Sequence, residues 1–158
     1  MIDIISTMYP KPLLTPFFII AAAFVGIADT LYLSWNHLMG MLPSCSIVEG
    51  CSIVLTSPYA KVLGEPLAYF GLIFYVYLLG LAILLAYDPR SRGLRLGMVA
   101  YAAIGVICSA IFVYMWIFLI HALCIYCVIS AVITAIIFCL ALWHFRATSA
   151  TTALESVR

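Results

Sequence analysis

Four long apolar stretches constrain the fold of this chain more than any other feature of its sequence. They cover residues 13–35, 67–87, 96–119 and 124–145. Each is close to the ~20 apolar residues that a helix needs to cross a bilayer core. The 158 residues are 67% hydrophobic and only 8% charged, and a water-soluble domain of this size could not bury so much apolar surface. The sequence therefore predicts an all-α membrane protein, a bundle of four transmembrane helices.

The rest of the chain provides one long connection, short turns and the two ends. Residues 36–66 are rich in proline and glycine, which favours a loop. Within it, the apolar pattern of residues 52–63 suits a short interfacial half-helix that Gly64 could end. We therefore expect one membrane domain over residues 1–146 and a disordered cytoplasmic tail over residues 147–158, which are rich in Ala, Ser and Thr.

The positive charges predict the orientation of the bundle. Four crossings leave only Lys61 on the side of the 36–66 loop, and the other cations share the opposite side: Lys11, Arg90, Arg92, Arg95, Arg146 and Arg158. Cytoplasmic loops are enriched in Lys and Arg, so we expect both termini in the cytoplasm and the long loop outside the plasma (inner) membrane. A net charge of +1 gives no reason to expect nucleic-acid binding.

Four of the six cysteines fall at or near the predicted outer face, where disulfides can form and persist. Cys45 and Cys51 lie in the loop, and Cys124 and Cys127 open the last span. Two pairs suggest a relay: electrons pass from a soluble dithiol to the loop pair, then by thiol–disulfide exchange to Cys124 and Cys127, then to a cofactor in the membrane. The positive helix end can stabilise a thiolate at Cys124, whereas apolar surroundings oppose one. Cys127 is one turn deeper and better placed for a lipid-soluble acceptor.

Other interpretations stay open at this point. The loop pair could be a structural staple. Cys124 and Cys127 could bind zinc with His121, but only three ligands are evident, and we expect no metal site. His121 could also tune the neighbouring thiol or simply be a solvated turn residue. Asp29 is an acid inside a span, and it is either functional or bonded to a polar neighbour near the interface.

Three motifs together carry a specific resemblance. They are CSIVEGCSIVLTS at residues 45–57, GEP at residues 64–66 followed by Phe70-Gly71 and Phe74-Tyr75, and CIYC at residues 124–127. With these motifs the chain resembles the vitamin K epoxide reductase family, from about residue 29 to residue 145. The family includes bacterial and archaeal members that act as disulfide-bond-forming membrane oxidases.

The resemblance implies a four-helix bundle around a quinone, ubiquinone or menaquinone. Cys127 would form the charge-transfer or covalent contact with the quinone, and Cys124 would exchange disulfides with the loop pair. The positions that would form the quinone pocket are Ser57, Val54, Leu55, Phe70, Phe74 and Ile120. On the sequence alone, Ser57 could equally cap a turn.

Two positions depart from the animal epoxide reductases, which hold the oxygens of their ligand with an asparagine and a tyrosine. The corresponding residues here are Leu67 and Ala131. This loss argues against epoxide reduction and favours a plain quinone as the electron acceptor. The chain also lacks the fused thioredoxin-like domain of some relatives, so we expect a separate thioredoxin-fold donor. The alternatives are a quinone or epoxide reductase driven by reduced thiols, and a non-enzymatic membrane scaffold with a structural loop disulfide.

Overall fold

Long apolar helices make up most of the chain. A computed structural model describes residues 14–41, 50–57, 60–62 and 64–156. The elements in chain order are α1 (Thr15–Leu38), α2 (Gly50–Thr56), β1 (Lys61–Val62), β2 (Glu65–Pro66), α3 (Leu67–Tyr87), α4 (Arg92–Met115), a π-helical turn (Trp116–Ile120) and α5 (Ile125–Ser156).

The predicted all-helical bundle is confirmed. The four candidate membrane spans are Thr15–Leu38, Leu67–Tyr87, Arg92–Ile120 and Ile125–Ser149. Helix α1 packs along α3 and α5, and α4 packs along α5 and, less extensively, along α3. Many large apolar side chains point outward, for example Phe18, which is 63% exposed. Such exposure suits a lipid-facing surface, because lipid solvates apolar side chains while the helices satisfy their own backbone groups.

Two glycines allow aromatic rings of α3 to pack closely against neighbouring helices. A Cβ atom at Gly26 of α1 would collide with the ring of Tyr75, and one at Gly105 of α4 would collide with the ring of Phe74. Small residues permit such close approach between membrane helices. Tyr75 is thereby fully buried at the centre of the bundle.

The second span begins and ends where the sequence predicts, but the others are longer. Helix α1 continues to Leu38, and α4 begins at Arg92 rather than residue 96. The turn before α4 is stabilised locally, because Asp88 Oδ1 accepts hydrogen bonds from the backbone N–H groups of Arg90 and Ser91. Arg95 can lie inside α4 because it donates to the carbonyls of Ser91 and Arg90.

The half-helix is confirmed as a short helix between the spans, but the predicted range of 52–63 is too long at its carboxyl end. Helix α2 ends at Thr56, and the antiparallel hairpin β1–β2 follows, with Lys61 opposite Pro66. Pro58 explains the early end, since the residue before a proline disfavours helical backbone. Gly64, with φ +89°, therefore lies in the hairpin turn and does not end a helix.

The last helix extends well beyond the predicted end of the span. Residues 147–156, predicted to belong to a disordered tail, are helical in the structure. This stretch contains neither glycine nor proline, so nothing in it interrupts a helix already formed by the span. The hydroxyls of Thr148 and Ser149 donate to the carbonyls of His144 and Phe145 one turn earlier.

Candidate functional site

A tight connection between α4 and α5 positions the CIYC motif. The connection consists of residues 121–124, and His121 adopts the left-handed conformation with φ +52°. The backbone N–H groups of His121 and Ala122 both donate to the carbonyl of Trp116, at the start of the π-helical turn. The carbonyl of Cys124 then accepts the N–H of Val128 at 3.0 Å, so Cys124 precedes the first turn of α5.

The short helix α2 brings a loop cysteine to the same place. Cys51, Val54, Trp116 and Cys124 form one buried cluster, with Cys127 packed against it. Cys51 and Cys124 are each 0% exposed. Cys51 is bonded in a disulfide, whereas Cys124 and Cys127 are free thiols. Three of the four predicted redox cysteines are therefore neighbours in the structure.

The fourth predicted redox cysteine, Cys45, lies outside the described residues. Its predicted role stays a prediction.

The surroundings of Cys124 favour its thiolate. A hydrogen bond from the Cys127 thiol is the largest influence and lowers the pKa of Cys124, while burial raises it. The backbone N–H groups of Cys127 and Tyr126 lower the pKa further, and the negative charge of Asp29 opposes them. The net effect is a pKa lowered to about 7. The sequence left this balance open, because helix-end donors and burial act in opposite directions.

A cavity of about 330 Å³ opens beside this cluster. Cys127 lies on its wall, together with all six residues that the resemblance assigns to the quinone pocket: Val54, Leu55, Ser57, Phe70, Phe74 and Ile120. The structure thus brings these six side chains together around one space. That they bind a quinone stays a prediction.

The cavity suits a quinone ring in size and chemistry. Ligand pockets range from roughly 300 to 1,000 Å³ and are lined mainly by apolar and aromatic side chains. Here Phe70 and Phe74 supply aromatic faces, and Leu67 and Ala131, the two positions that depart from the animal enzymes, are also part of the wall.

One side of the cavity is formed by residues that also lie on the outer surface of the bundle. Phe70 is 40% exposed, Ile104 is 56% exposed and Cys108 is an exposed free thiol. The side chains between α3 and α4 therefore separate the cavity from the surrounding lipid.

Ser57 has a local role as well as a place on the cavity wall. Its Oγ atom donates to the carbonyl of Val54 at 2.8 Å, and its backbone N–H donates to the same carbonyl at 3.2 Å. Both interpretations of Ser57 are thus compatible with its position.

The wall of the cavity also contains a polar network that the sequence motifs do not predict. The hydroxyl of Tyr75 donates to the carbonyl of Ser130 at 2.8 Å. It also lies 3.0 Å from Ser130 Oγ and 2.8 Å from Thr134 Oγ1. The sequence does contain one indication of this network, since Ser130 and Thr134 are one helical turn apart in an otherwise apolar span and so share one face of the helix.

Among the described residues, no group of three or more His, Cys, Asp or Glu side chains could hold a metal ion. His121 is exposed in the connection before α5 and is not part of the cavity wall.

Comparison with known proteins agrees with this arrangement. The family model described as "Vitamin K epoxide reductase family" matches residues 17–142, a range that includes both cysteine pairs and almost all of the bundle. The chain belongs to this family. Among curated proteins, no sequence matches the chain. Vitamin K epoxide reductase family enzymes are quinone-linked thiol–disulfide oxidoreductases, so membership assigns this class of activity and a quinone to the chain.

Proposed function

We propose that the chain is a disulfide-forming membrane thiol oxidase of the bacterial and archaeal type. It passes electrons from a reduced thioredoxin-fold protein through Cys45 and Cys51 to Cys124 and Cys127, and from there to ubiquinone or menaquinone. The observation that carries this proposal is the shared cluster of Cys51 and Cys124, with Cys127 packed against it and facing the cavity.

The burial of Cys51 supports different roles for the two loop cysteines, with Cys45 reacting with the partner protein and Cys51 reacting with Cys124. At 0% exposure, Cys51 is out of reach of a soluble protein, so the partner would meet Cys45, which we propose as the disulfide partner of Cys51. A partner thiolate attacks Cys45 and releases Cys51. The second partner thiol then resolves the mixed disulfide, which leaves the partner oxidised and the loop reduced by two electrons.

The second exchange occurs within the buried cluster. The Cys51 thiolate attacks Cys124 of an oxidised Cys124–Cys127 pair, and Cys127 leaves as a thiolate. Cys45 then attacks Cys51 and expels Cys124. A thiol with a low pKa leaves faster. Once Cys127 has taken up a proton and can donate to the Cys124 sulfur, the pKa of about 7 at Cys124 favours this step. The loop is again a disulfide, and Cys124 and Cys127 hold the two electrons.

The last transfer uses the thiol on the cavity wall. Cys127 faces the cavity, while Cys124 faces the buried cluster. A quinone bound in the cavity would accept two electrons and two protons and leave as the quinol. The apolar Leu67 and Ala131 support a plain quinone over an epoxide substrate.

The charge distribution supports an orientation in which the loop, Cys124 and the partner share the periplasmic or extracellular side. Arg90, Arg92 and Arg95 then lie at the cytoplasmic end, where positive charges are enriched. Electrons would thus move from outer dithiols into the quinone pool of the plasma membrane.

A purified system tests the proposal. The protein is placed in lipid nanodiscs with a reduced thioredoxin-fold donor and a short-chain quinone, and quinol formation is followed by absorbance. Cys127→Ala should abolish quinol formation, and Cys51→Ala should abolish transfer from the protein donor. Cys139→Ala is the matched control, because Cys139 is an exposed free thiol that is not part of the cavity wall. Quinol formation at the normal rate by Cys127→Ala would disprove the mechanism.

A second variant traps the internal exchange. In Cys45→Ala, Cys51 can still attack Cys124 of the oxidised Cys124–Cys127 pair, but the thiol that expels Cys124 is missing. A mixed disulfide between Cys51 and Cys124 should therefore accumulate and be found by mass spectrometry of non-reduced peptides. A membrane scaffold with a structural loop disulfide predicts no such species.

A further inference from the structure

Asp29 is the only acidic residue within the four spans. It lies in α1 and forms part of the wall of the cavity that Cys127 also lines. A charged carboxylate in such surroundings is costly unless it is paired, and ionisable residues inside membranes therefore usually have a function.

The carboxyl group is poorly satisfied by the protein. Its Oδ2 atom is buried and has no hydrogen-bond partner among the described residues. Nearby hydroxyls on the wall are already engaged, since Thr30 donates to the carbonyl of Gly26 and Tyr75 donates to the carbonyl of Ser130. At least one oxygen of Asp29 is thus a buried polar atom of a cavity-lining residue without a partner among the described residues.

The rest of the wall lacks the expected ligand anchors. The two positions at which relatives would hold the oxygens of a ligand are the apolar Leu67 and Ala131, and both line the cavity. A quinone carbonyl bound here needs a hydrogen-bond donor elsewhere on the wall, which also contains Ser57, Ser109, His37 and Lys61. Of these wall residues, Asp29 is the one with a buried oxygen that has no partner in the described part of the chain, and its protonated carboxyl group can donate.

Asp29 is also close to the thiols. Its negative charge is near enough to oppose ionisation of Cys124, so a proton released when the thiol pair is oxidised has a nearby acceptor. Asp29 and Cys127 thus line the same space, in which a bound quinone would have to gain protons.

We propose that Asp29 is a catalytic residue that hydrogen-bonds a quinone oxygen through its protonated carboxyl and donates a proton to it during reduction. This inference rests on the proposed function. Formation of the Cys124–Cys127 bond releases two electrons and two protons. The quinone takes up the two electrons and the two protons and becomes the quinol. Asp29 gives one proton to the quinone oxygen and recovers one from the thiol pair, so it is unchanged over the cycle.

Single-turnover measurements on the full chain in nanodiscs separate this role from the thiol exchanges. In the first measurement, protein with reduced Cys124 and Cys127 is mixed with a short-chain ubiquinone or, separately, a short-chain menaquinone, and the loss of thiols is followed. In the second, oxidised protein is mixed with the reduced thioredoxin-fold donor, and the formation of thiols is followed.

Asp29→Asn keeps the shape of the side chain but removes the transferable proton. It should slow the first reaction by about 100-fold or more, which is the usual contribution of general acid catalysis, and should leave the second within about twofold of wild type. Asp29→Glu keeps the acid and should stay within about tenfold of wild type in both. Glu65→Gln is the matched control, because it makes the same acid-to-amide change at an exposed hairpin position.

Equal first-reaction rates for Asp29→Asn and wild type would overturn the inference. So would equal losses in both reactions, or an Asp29→Glu variant as slow as Asp29→Asn, because both results indicate a structural role. A wild-type protein that exchanges thiols but never reduces a quinone would overturn the proposed function, and with it this inference.

Discussion

The two thiols of the CIYC motif are three residues apart but occupy different environments. Cys124 lies in the buried cluster with Cys51, at the end of the connection before α5, and Cys127 faces the cavity. A hydrogen bond from Cys127 is the main reason for the low pKa of Cys124. The reactivity of one thiol therefore depends on the protonation of the other.

This dependence predicts a pH profile for Cys124. With a pKa of about 7, its thiolate fraction rises as the pH increases through 7 and falls about tenfold per pH unit well below it. Alkylation of Cys124 by a small neutral reagent, read from the modified peptide by mass spectrometry, should follow this curve in the reduced protein.

Variants of Cys127 serve as the control for that profile. Cys127→Ala removes the donor and should move the midpoint upward, toward the ordinary thiol value, whereas Cys127→Ser keeps a donor and should move it less. A wild-type midpoint near that of an ordinary thiol, or one unaffected by Cys127→Ala, would contradict this account.

Residues that belong to a sequence motif could be assigned to the site from the sequence, whereas residues outside such motifs could not. Five of the six pocket positions lie in the family motifs of the loop and second span, the sixth is Ile120 at the end of the third span, and all six line the cavity. Tyr75, Ser130 and Thr134 were not predicted, because their network joins two helices and no local pattern specifies which hydroxyl meets which.

Among the helices, close contacts at two glycines involve aromatic rings that line the cavity. Gly26 accommodates the ring of Tyr75, and Gly105 accommodates the ring of Phe74, which lines the cavity. Hydrogen bonds to α5 hold the Tyr75 hydroxyl. The ring therefore cannot swing away from α1 without losing buried hydrogen bonds.

Gly26→Ala should consequently destabilise the bundle. Overpacking of this kind costs about 1–3 kcal/mol, and the loss should appear as a lower Tm in lipid nanodiscs. Gly80→Ala is the matched control, since a Cβ at Gly80 of α3 meets nothing within 4 Å, and alanine is a better helix former than glycine. Equal Tm values for the two variants would show that α1 can move away from Tyr75 at little cost.

The helices themselves were predictable because length and hydropathy alone identify spans. The residues at which the helices begin and end were harder to predict from the sequence. Residues 147–156 continue α5 although their composition resembles a disordered segment, and α2 is shorter than its apolar pattern suggests. Composition gives the average preference of a segment, whereas its actual structure depends on neighbours already formed on either side.

The orientation of the whole bundle in the membrane follows from the distribution of its charges. The cations between α3 and α4 and the cysteine-bearing loop lie at opposite ends of the spans. The enrichment of positive charges in cytoplasmic loops then predicts that the β1–β2 hairpin is outside and that the turn before α4 is inside.

Labelling of introduced cysteines tests this orientation. Glu65→Cys lies in the hairpin, and Gly93→Cys lies near the start of α4, where added side-chain atoms meet open space. A membrane-impermeant maleimide should modify Cys at 65 in intact cells and Cys at 93 only after permeabilisation, as judged by peptide mass spectrometry. The reverse pattern would place the redox cysteines on the cytoplasmic side and remove the proposed partner from reach.

Because one side of the cavity faces lipid, the concentration of a hydrophobic substrate should be given relative to the lipid. Phe70, Ile104 and Cys108 form part of the cavity wall and are also exposed on the bundle surface. A hydrophobic substrate that arrives between α3 and α4 comes from the bilayer, so its relevant concentration is its mole fraction in lipid and not its molarity in the sample. Kinetic constants measured at different lipid-to-protein ratios would then agree only when expressed per lipid molecule.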